Sequence, residues 1–183
     1  MESPARIRLL LVDDHMIVRL GLRTVFEESA DIEVVGEAGS VAEAIDAASR
    51  VKPDVVLMDM RLPDGSGVDA CRRILAAHPQ TRVAFLTSYE GEEAVFSAVF
   101  AGARGFLLKE IGSDSLLAAV RAVAAGHSIL DPATTRAMAE KLKALSRSDV
   151  QDRTGGSLSA QEQKVLALVA DGKTNKEIAD ALA

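Results

Sequence analysis

The sequence predicts an α/β fold, a doubly wound five-stranded parallel sheet, with a small all-α C-terminal segment. In the first part of the chain, five short apolar stretches alternate with helical segments of about ten to fifteen residues. The stretches are continuously apolar, which is typical of parallel strands buried on both faces. With 183 residues, 48% of them hydrophobic, the chain can build one full core and a small appendage.

The apolar stretches are predicted strands because each is short and rich in Val, Leu and Ile. They are residues 7–13, 32–38, 54–59, 82–88 and 105–109. Helices are predicted between them. The first, residues 15–29, has an apolar side formed by Ile17, Val18, Leu22, Val25 and Phe26. The second begins behind Ser40, which forms a capping-box pattern with Glu43. The others are residues 66–77, 91–101 and 113–125.

The composition favours a cytoplasmic protein without a membrane segment. No apolar run approaches the roughly 18 residues that span a bilayer, and residues 1–8 lack the apolar region of an export signal. Cys71 is the single cysteine, so we interpret it as a small residue on a helix face. The net charge of −6 comes from the first 130 residues, since acidic and basic residues balance beyond them. Any contact with DNA is therefore expected from the C-terminal part.

The chain is predicted to divide into two modules. Residues 1–127 form the first, and residues 128–157 form a largely polar linker with a helix near 133–145. Residues 158–183 are predicted as two short helices joined at Gly172. Their capping-box pairs are Ser159 with Glu162 and Thr174 with Glu177.

Five polar residues stand where four predicted strands end. Asp13 and Asp14 follow the first strand and Asp59 ends the third. Thr87 belongs to the end of the fourth strand and Lys109 to the end of the fifth. These ends gather at one edge of a doubly wound sheet. Clustered carboxylates there suit Mg²⁺, beside which an aspartate can form an aspartyl phosphate, with a lysine and a hydroxyl as donors to its oxygens.

The strings LLLVDDH, LMDMRLPDGSG, LTSY and GFLLKE resemble the receiver domain of bacterial two-component response regulators, over residues 7–126. The resemblance implies a flavodoxin-like receiver that a sensor histidine kinase phosphorylates on Asp59. It also implies a Mg²⁺ cofactor, whose ligands would be Asp59, Asp13, Asp14 and the main-chain carbonyl of Arg61.

The same resemblance implies that Thr87 hydrogen-bonds the phosphoryl group and that Lys109 pairs with it. Thr87 and Phe106 would act as switch residues. The family often has tyrosine where this chain has Phe106, and phenylalanine lacks the hydroxyl of an inward-facing state. Core packing therefore stays an alternative for Phe106. His15 is interpreted as a surface residue or as one that supports the metal ligands, because Mg²⁺ prefers oxygen.

The string LSAQEQKVLALVADGKTNKEIA resembles the opening of the LuxR-type helix-turn-helix. With the receiver, it makes the chain similar to NarL/FixJ-family response regulators, and VVGEAGSVAEA and LTSYEGEEA resemble the DevR-like members. The resemblance implies transcriptional control, DNA binding by the complete protein and a homodimer on activation. The sequence ends at Ala183, before the family's recognition helix, so we expect no specific operator binding by this chain alone. Lys173 and Lys176 are either phosphate contacts or solvated lysines.

Two other functions compete with a response regulator. A haloacid-dehalogenase-like phosphatase also uses an aspartate nucleophile and Mg²⁺, but it needs a second aspartate where Arg61 stands, so we expect no enzyme of that class. The other alternative is a receiver-like module that binds partners without phosphorylation. The complete acidic site argues against that module.

Overall fold

The structure, a computed structural model, describes residues 6–88 and 92–129. The strands are β1 (Ile7–Val12), β2 (Ile32–Ala38), β3 (Val55–Met58), β4 (Arg61–Leu62), β5 (Gly65–Ser66), β6 (Arg82–Thr87) and β7 (Gly105–Leu108). The helices are α1 (Met16–Glu27), α2 (Val41–Val51), α3 (Gly67–Ala77), α4 (Glu92–Phe100) and α5 (Ser113–Ala124). The helix expected near 133–145 and the module at 158–183 lie outside the described residues. Within the described ranges, no helix has the length and apolarity needed to cross a membrane.

Five strands form one sheet in the order β2-β1-β3-β6-β7. Every neighbouring pair in it is parallel. The chain places β2 on one side of β1 and β3 on the other, so the order reverses at β1 and creates a topological switch point. The predicted doubly wound sheet is confirmed, and the strand ends differ from the prediction by at most one residue.

The apolar strands supply two cores, one on each face of the sheet. Leu10 and Phe85 belong to the core that α2 and α3 cover, whereas Leu9 and Leu57 belong to the core that α1 and α5 cover. All four side chains are essentially inaccessible to solvent. Because each fully buried leucine or phenylalanine contributes about 1.5–3 kcal/mol, these two cores hold the strand ends rigidly in place.

The first helix buries most, but not all, of the apolar side that its sequence predicts. Phe26 is buried and Leu22 is half-buried, as predicted, but Ile17 is 81% exposed. Successive helical residues are rotated by about 100°, so Ile17 lies beside the stripe that Val18, Leu22 and Phe26 form. Met16 and Leu20 are exposed with it. The buried side of α1 is therefore narrower than the apolar side that the sequence predicts.

The second helix is capped at Ser40, with one difference from the predicted capping box. The Ser40 hydroxyl accepts from the main-chain N–H of Glu43 at 3.2 Å, as the pattern predicts. The Glu43 carboxylate accepts from the N–H of Gly39 at 2.7 Å, one residue earlier than a standard capping box uses. The reciprocal bond thereby ties the end of β2 to the start of α2.

After α5 the main chain returns to the open edge of the sheet. Ile129 forms a parallel bridge with Gly105 of β7. Its carbonyl accepts from the N–H of Phe106 at 3.1 Å, and its N–H donates to the carbonyl of Arg104 at 2.7 Å. The first residues of the segment predicted as a linker are therefore bonded to β7.

Cys71 is expected to be unreactive in the folded protein. It lies on the buried side of α3, and burial raises the pKa of its thiol to about 12. The nucleophilic thiolate is consequently scarce at neutral pH. We expect Ellman's reagent to modify Cys71 only after unfolding in guanidinium chloride. Rapid stoichiometric reaction of the native protein would contradict this expectation.

Candidate functional site

The register of the sheet brings the ends of neighbouring strands together. Val12 of β1 pairs with Met58 of β3, and Met58 pairs with Phe85 of β6. Asp13 and Asp59 follow Val12 and Met58 directly, so both aspartates leave the sheet side by side. The N–H of Asp59 donates to the carbonyl of Val12 at 2.8 Å. This bond extends the strand ladder by one peptide and anchors Asp59.

Lys109 lies between the two aspartates. Thr87 of β6 pairs with Leu108 of β7, and the N–H of Lys109 donates to the Thr87 carbonyl at 3.0 Å. The side-chain Nζ of Lys109 lies 2.5 Å from Oδ2 of Asp59 and 2.6 Å from Oδ2 of Asp13. One ammonium group therefore bridges carboxylates from two different strands.

The pKa of Lys109 reflects a balance of opposing effects. Burial lowers it, because the charged amine leaves water. The hydrogen bonds and negative charges of Asp13 and Asp59 outweigh burial, and the pKa of Lys109 is raised from its ordinary value of 10.5. The ammonium is therefore charged at neutral pH and available to donate to an anion.

The two bridged carboxylates are deeply placed and held by main-chain donors. Asp13 is 2% exposed and Asp59 is 7% exposed. Oδ1 of Asp13 accepts from the N–H of His15 at 2.8 Å, and Oδ1 of Asp59 accepts from the N–H of Arg61 at 3.3 Å. In the part of the chain that the structure describes, no buried side-chain nitrogen or oxygen lacks a partner. The site is therefore oriented before any ligand arrives.

Asp14 and His15 extend the acidic site toward solvent. Nδ1 of His15 lies 2.8 Å from Oδ1 of Asp14 and 3.3 Å from Oδ1 of Asp13. One ligand atom from each of these three residues falls within 4.8 Å of the others. The oxygens of Asp13 and Asp14 are hard ligands of the kind that Mg²⁺ prefers, so the residues present fit that ion. Asp59 is connected to Asp13 through the Lys109 ammonium, which contacts both carboxylates.

A cleft of about 410 Å³ opens over these groups. Five residues predicted for the site lie on its walls: Asp14, Asp59, Arg61, Thr87 and Lys109. A cleft of this size has room for a phosphoryl group beside hydrated Mg²⁺. Residues at or just beyond the ends of β1, β3, β6 and β7 thus lie together at one cleft.

Thr87 and Phe106 differ in their distance from the cleft. Thr87 is 2% exposed and lines the opening from the end of β6. Phe106 is half-buried on β7 and packs against the core that α2 and α3 cover. Phe106 therefore packs against the core, as the alternative interpretation expected. Its role as a switch residue stays a prediction.

The turn after Asp59 contains a small hairpin that the sequence analysis did not predict. Arg61 of β4 pairs with Ser66 of β5, and the turn between these strands carries Asp64. The Asp64 carboxylate accepts from the N–H groups of Val41 and Ala42 at 2.7 and 3.0 Å. These bonds lower the pKa of Asp64 and fasten the turn to the start of α2. The string PDG signalled a turn, but nothing local signalled its distant partner.

Arg19 also contacts the site and was not predicted. Its guanidinium donates to the main-chain carbonyl of Asp13 at 2.6 Å. Arg19 lies inside α1, where a charged residue ordinarily faces water. Only the packing of α1 against β1 and β2 brings it to Asp13, so the sequence held no signal for this contact.

Residues 9–121 match the family model described as the response regulator receiver domain, which spans more than half of the chain. The chain belongs to the response regulator family. Residues 156–183 match a second model, described as bacterial regulatory proteins of the luxR family. The two matches confirm the predicted NarL/FixJ-type architecture.

Curated relatives cover both parts of this response regulator. The DNA-binding transcriptional activator DevR/DosR of Mycobacterium tuberculosis is 43% identical over 176 residues, which are 96% of this chain and 80% of that protein. The response regulator protein VraR of Staphylococcus aureus is 37% identical over 175 residues, 96% of this chain and 81% of VraR. The DevR-like character predicted from the sequence is therefore confirmed.

Solved structures support the same family. A LuxR-family two-component response regulator from Aurantimonas sp. is 34% identical, with a TM-score of 0.68 over 75% of this chain and 98% of that one. The response regulator ChrA of a heme-sensing two-component system is 32% identical, with a TM-score of 0.60 over 98% of this chain and 82% of ChrA. This protein is thus a response regulator with receiver and LuxR-family DNA-binding domains that control transcription.

Proposed function

We propose that a sensor histidine kinase phosphorylates this response regulator on Asp59. Mg²⁺ would be held by Asp13, Asp14, Asp59 and the main-chain carbonyl of Arg61. The observation that supports the proposal most strongly is the Lys109 ammonium, 2.5 Å from Asp59 and 2.6 Å from Asp13 at the floor of the cleft. A cation placed beside a buried, oriented carboxylate is what transfer of a phosphoryl group to that carboxylate requires.

The chemistry follows from the groups around Asp59. A carboxylate oxygen of Asp59 attacks the phosphorus of a phosphohistidine, so an O–P bond forms and the P–N bond breaks. The leaving imidazole keeps the electron pair of the P–N bond and takes up a proton from solvent. Bound Mg²⁺ supplies charge neutralisation of the phosphoryl oxygens. Lys109 then donates to the phosphoryl group and no longer to the unmodified Asp59 carboxylate. The Thr87 hydroxyl also donates to the phosphoryl group.

The output is a change of population between two receiver states. Phosphorylation redirects the donors of Lys109 and Thr87. Phe106 lies on β7, which ends one residue before Lys109, and would report the change at the surface. The complete protein would then dimerise and bind DNA in the cytoplasm. The relative DevR/DosR, described as a DNA-binding transcriptional activator, supports this output.

Incubation with acetyl phosphate and Mg²⁺, followed by intact-mass measurement, tests the proposal. We expect one phosphoryl adduct on the wild type, and none on Asp59→Asn or when EDTA removes the metal. Asp46→Asn is the matched control, since Asp46 is an exposed aspartate of α2 that pairs only with Arg50 among the interactions described for it. This variant should carry the adduct as the wild type does.

The other outcomes favour the two competing functions. A folded wild-type protein without an adduct would overturn the proposal and favour a phosphorylation-independent interaction module. Steady turnover of small phosphate esters would instead favour a phosphatase. An adduct that persists on Asp59→Asn would place the acceptor at another residue.

A further inference from the structure

Arg19 connects the acidic site to the neighbouring strand β2. Its side chain is 18% exposed. One terminal nitrogen donates to the main-chain carbonyl of Asp13 at 2.6 Å, and Nε donates to Oε2 of Glu37 at 3.0 Å. The two bonds use different nitrogens of one planar group. The position of the Asp13 carbonyl is therefore set relative to Glu37 by a rigid fork.

The carbonyl of Asp13 belongs to the peptide that joins Asp13 to Asp14. The backbone dihedral angles on either side of this peptide set the relative directions of the two carboxylates, because the side chains project from the Cα atoms at its ends. The N–H of Asp13 is already held by the carbonyl of Ala38 at 3.1 Å. With Arg19 on the carbonyl, the main chain of Asp13 is held by hydrogen bonds on both sides.

Glu37 keeps the Arg19 guanidinium in place and balances its charge. Burial raises the pKa of Glu37, but hydrogen bonds from Arg23 and Arg19 outweigh burial and hold the pKa below its ordinary value. Glu37 is therefore an anion at neutral pH. Arg23 shares this anion and also lies 3.8 Å from Glu27. Two guanidinium groups therefore face two carboxylates, and the orienting hydrogen bond adds no net positive charge beside the metal ligands.

We propose that Arg19 is a positioning residue of the Mg²⁺ site. It would not touch the ion; it fixes the Asp13–Asp14 peptide so that the two carboxylates keep one relative orientation toward a shared ion. This inference rests on the proposed function, since it concerns the same metal site. Groups that orient metal ligands in this way commonly change metal affinity by about 10–100-fold when they are removed.

Isothermal titration with Mg²⁺ alone tests the inference on the wild type, Arg19→Gln and Arg23→Gln. Arg23 is the matched control, because it also pairs with Glu37 from α1 and makes no described contact with Asp13. We expect the Kd for Mg²⁺ to rise about tenfold in Arg19→Gln and to stay unchanged in Arg23→Gln. Arg19→Lys, which keeps one charged donor but lacks the fork, should have an intermediate Kd.

Several outcomes would overturn the inference. An unchanged Kd in Arg19→Gln or, where that variant does not fold, in Arg19→Lys would remove the positioning role. Equal weakening in Arg23→Gln would show that the ion-pair network merely stiffens α1 against β2. Failure of the wild type to bind Mg²⁺ would count against the proposed function itself. A wild type that binds Mg²⁺ and becomes phosphorylated, with Arg19→Gln equal to it, would remove only the role of Arg19.

Discussion

Replacement of Lys109 by methionine is expected to lower the free energy of unfolding at neutral pH by about 3 kcal/mol. Methionine preserves most of the apolar stem, but it removes the cation that lies against Asp13 and Asp59. Two mostly buried carboxylates are then left facing each other without compensation. Urea unfolding in EDTA measures the loss, and the replacement should also abolish or strongly slow phosphorylation by acetyl phosphate.

The pH dependence of this loss is determined by the ammonium. The folded-state pKa of Lys109 is raised above 10.5, so its stabilisation is fully present below that pH and disappears as the pH rises through the folded-state pKa. The difference between wild type and Lys109→Met should therefore be constant near neutrality and shrink in strongly alkaline solution.

Two controls distinguish the charge of Lys109 from its packing. Mg²⁺ should stabilise Lys109→Met more than the wild type, because the ion neutralises the uncompensated pair of carboxylates. Adding Asp13→Asn to Lys109→Met should restore part of the lost stability, since one of the two carboxylates is gone. If neither change helps the variant, the loss comes from side-chain packing.

Replacement of Gly67 by alanine is expected to cost about 3 kcal/mol and to remove phosphorylation. A Cβ at Gly67 would overlap the main-chain carbonyl oxygen of Asp59 and lie 3.1 Å from its carbonyl carbon and 3.2 Å from Cα of Met60. All three atoms belong to the backbone, so no side chain can turn away. Either the first turn of α3 or the peptide after Asp59 must move, and the N–H of Gly67 loses its bond to the Met60 carbonyl.

Gly21→Ala is the matched control for this prediction. Gly21 lies inside α1, and a Cβ there would meet no atom within 4 Å. Alanine at that position should stabilise the protein by about 0.5–1 kcal/mol, because glycine is a poor helix former. Urea unfolding and acetyl phosphate labelling of both variants measure the contrast. If Gly67→Ala is as stable as the wild type, the peptide after Asp59 can move to accommodate the Cβ at little cost in free energy.

The positions of the site residues could be predicted because strand ends carry a strong local signal. Asp13, Asp59 and Lys109 each follow an apolar run, and the topology of a doubly wound sheet places such ends at one edge. The hydrogen bonds around these residues were harder to predict from the sequence. Arg19 reaches Asp13 from inside a helix, and Asp64 caps a helix that begins 23 residues earlier in the chain. Both contacts join segments that lack any common sequence pattern.

The alternation of strands and helices and the kinds of residue at each strand end follow directly from the sequence, because apolar periodicity and turn residues act locally. Three features emerge only from the folded chain: Lys109 bridges Asp13 and Asp59, Ile17 is exposed, and Glu43 completes its cap on Gly39. Those outcomes depend on strand register and on helix rotation against the sheet. Both are determined by side-chain packing summed over many residues, which no short stretch of sequence contains.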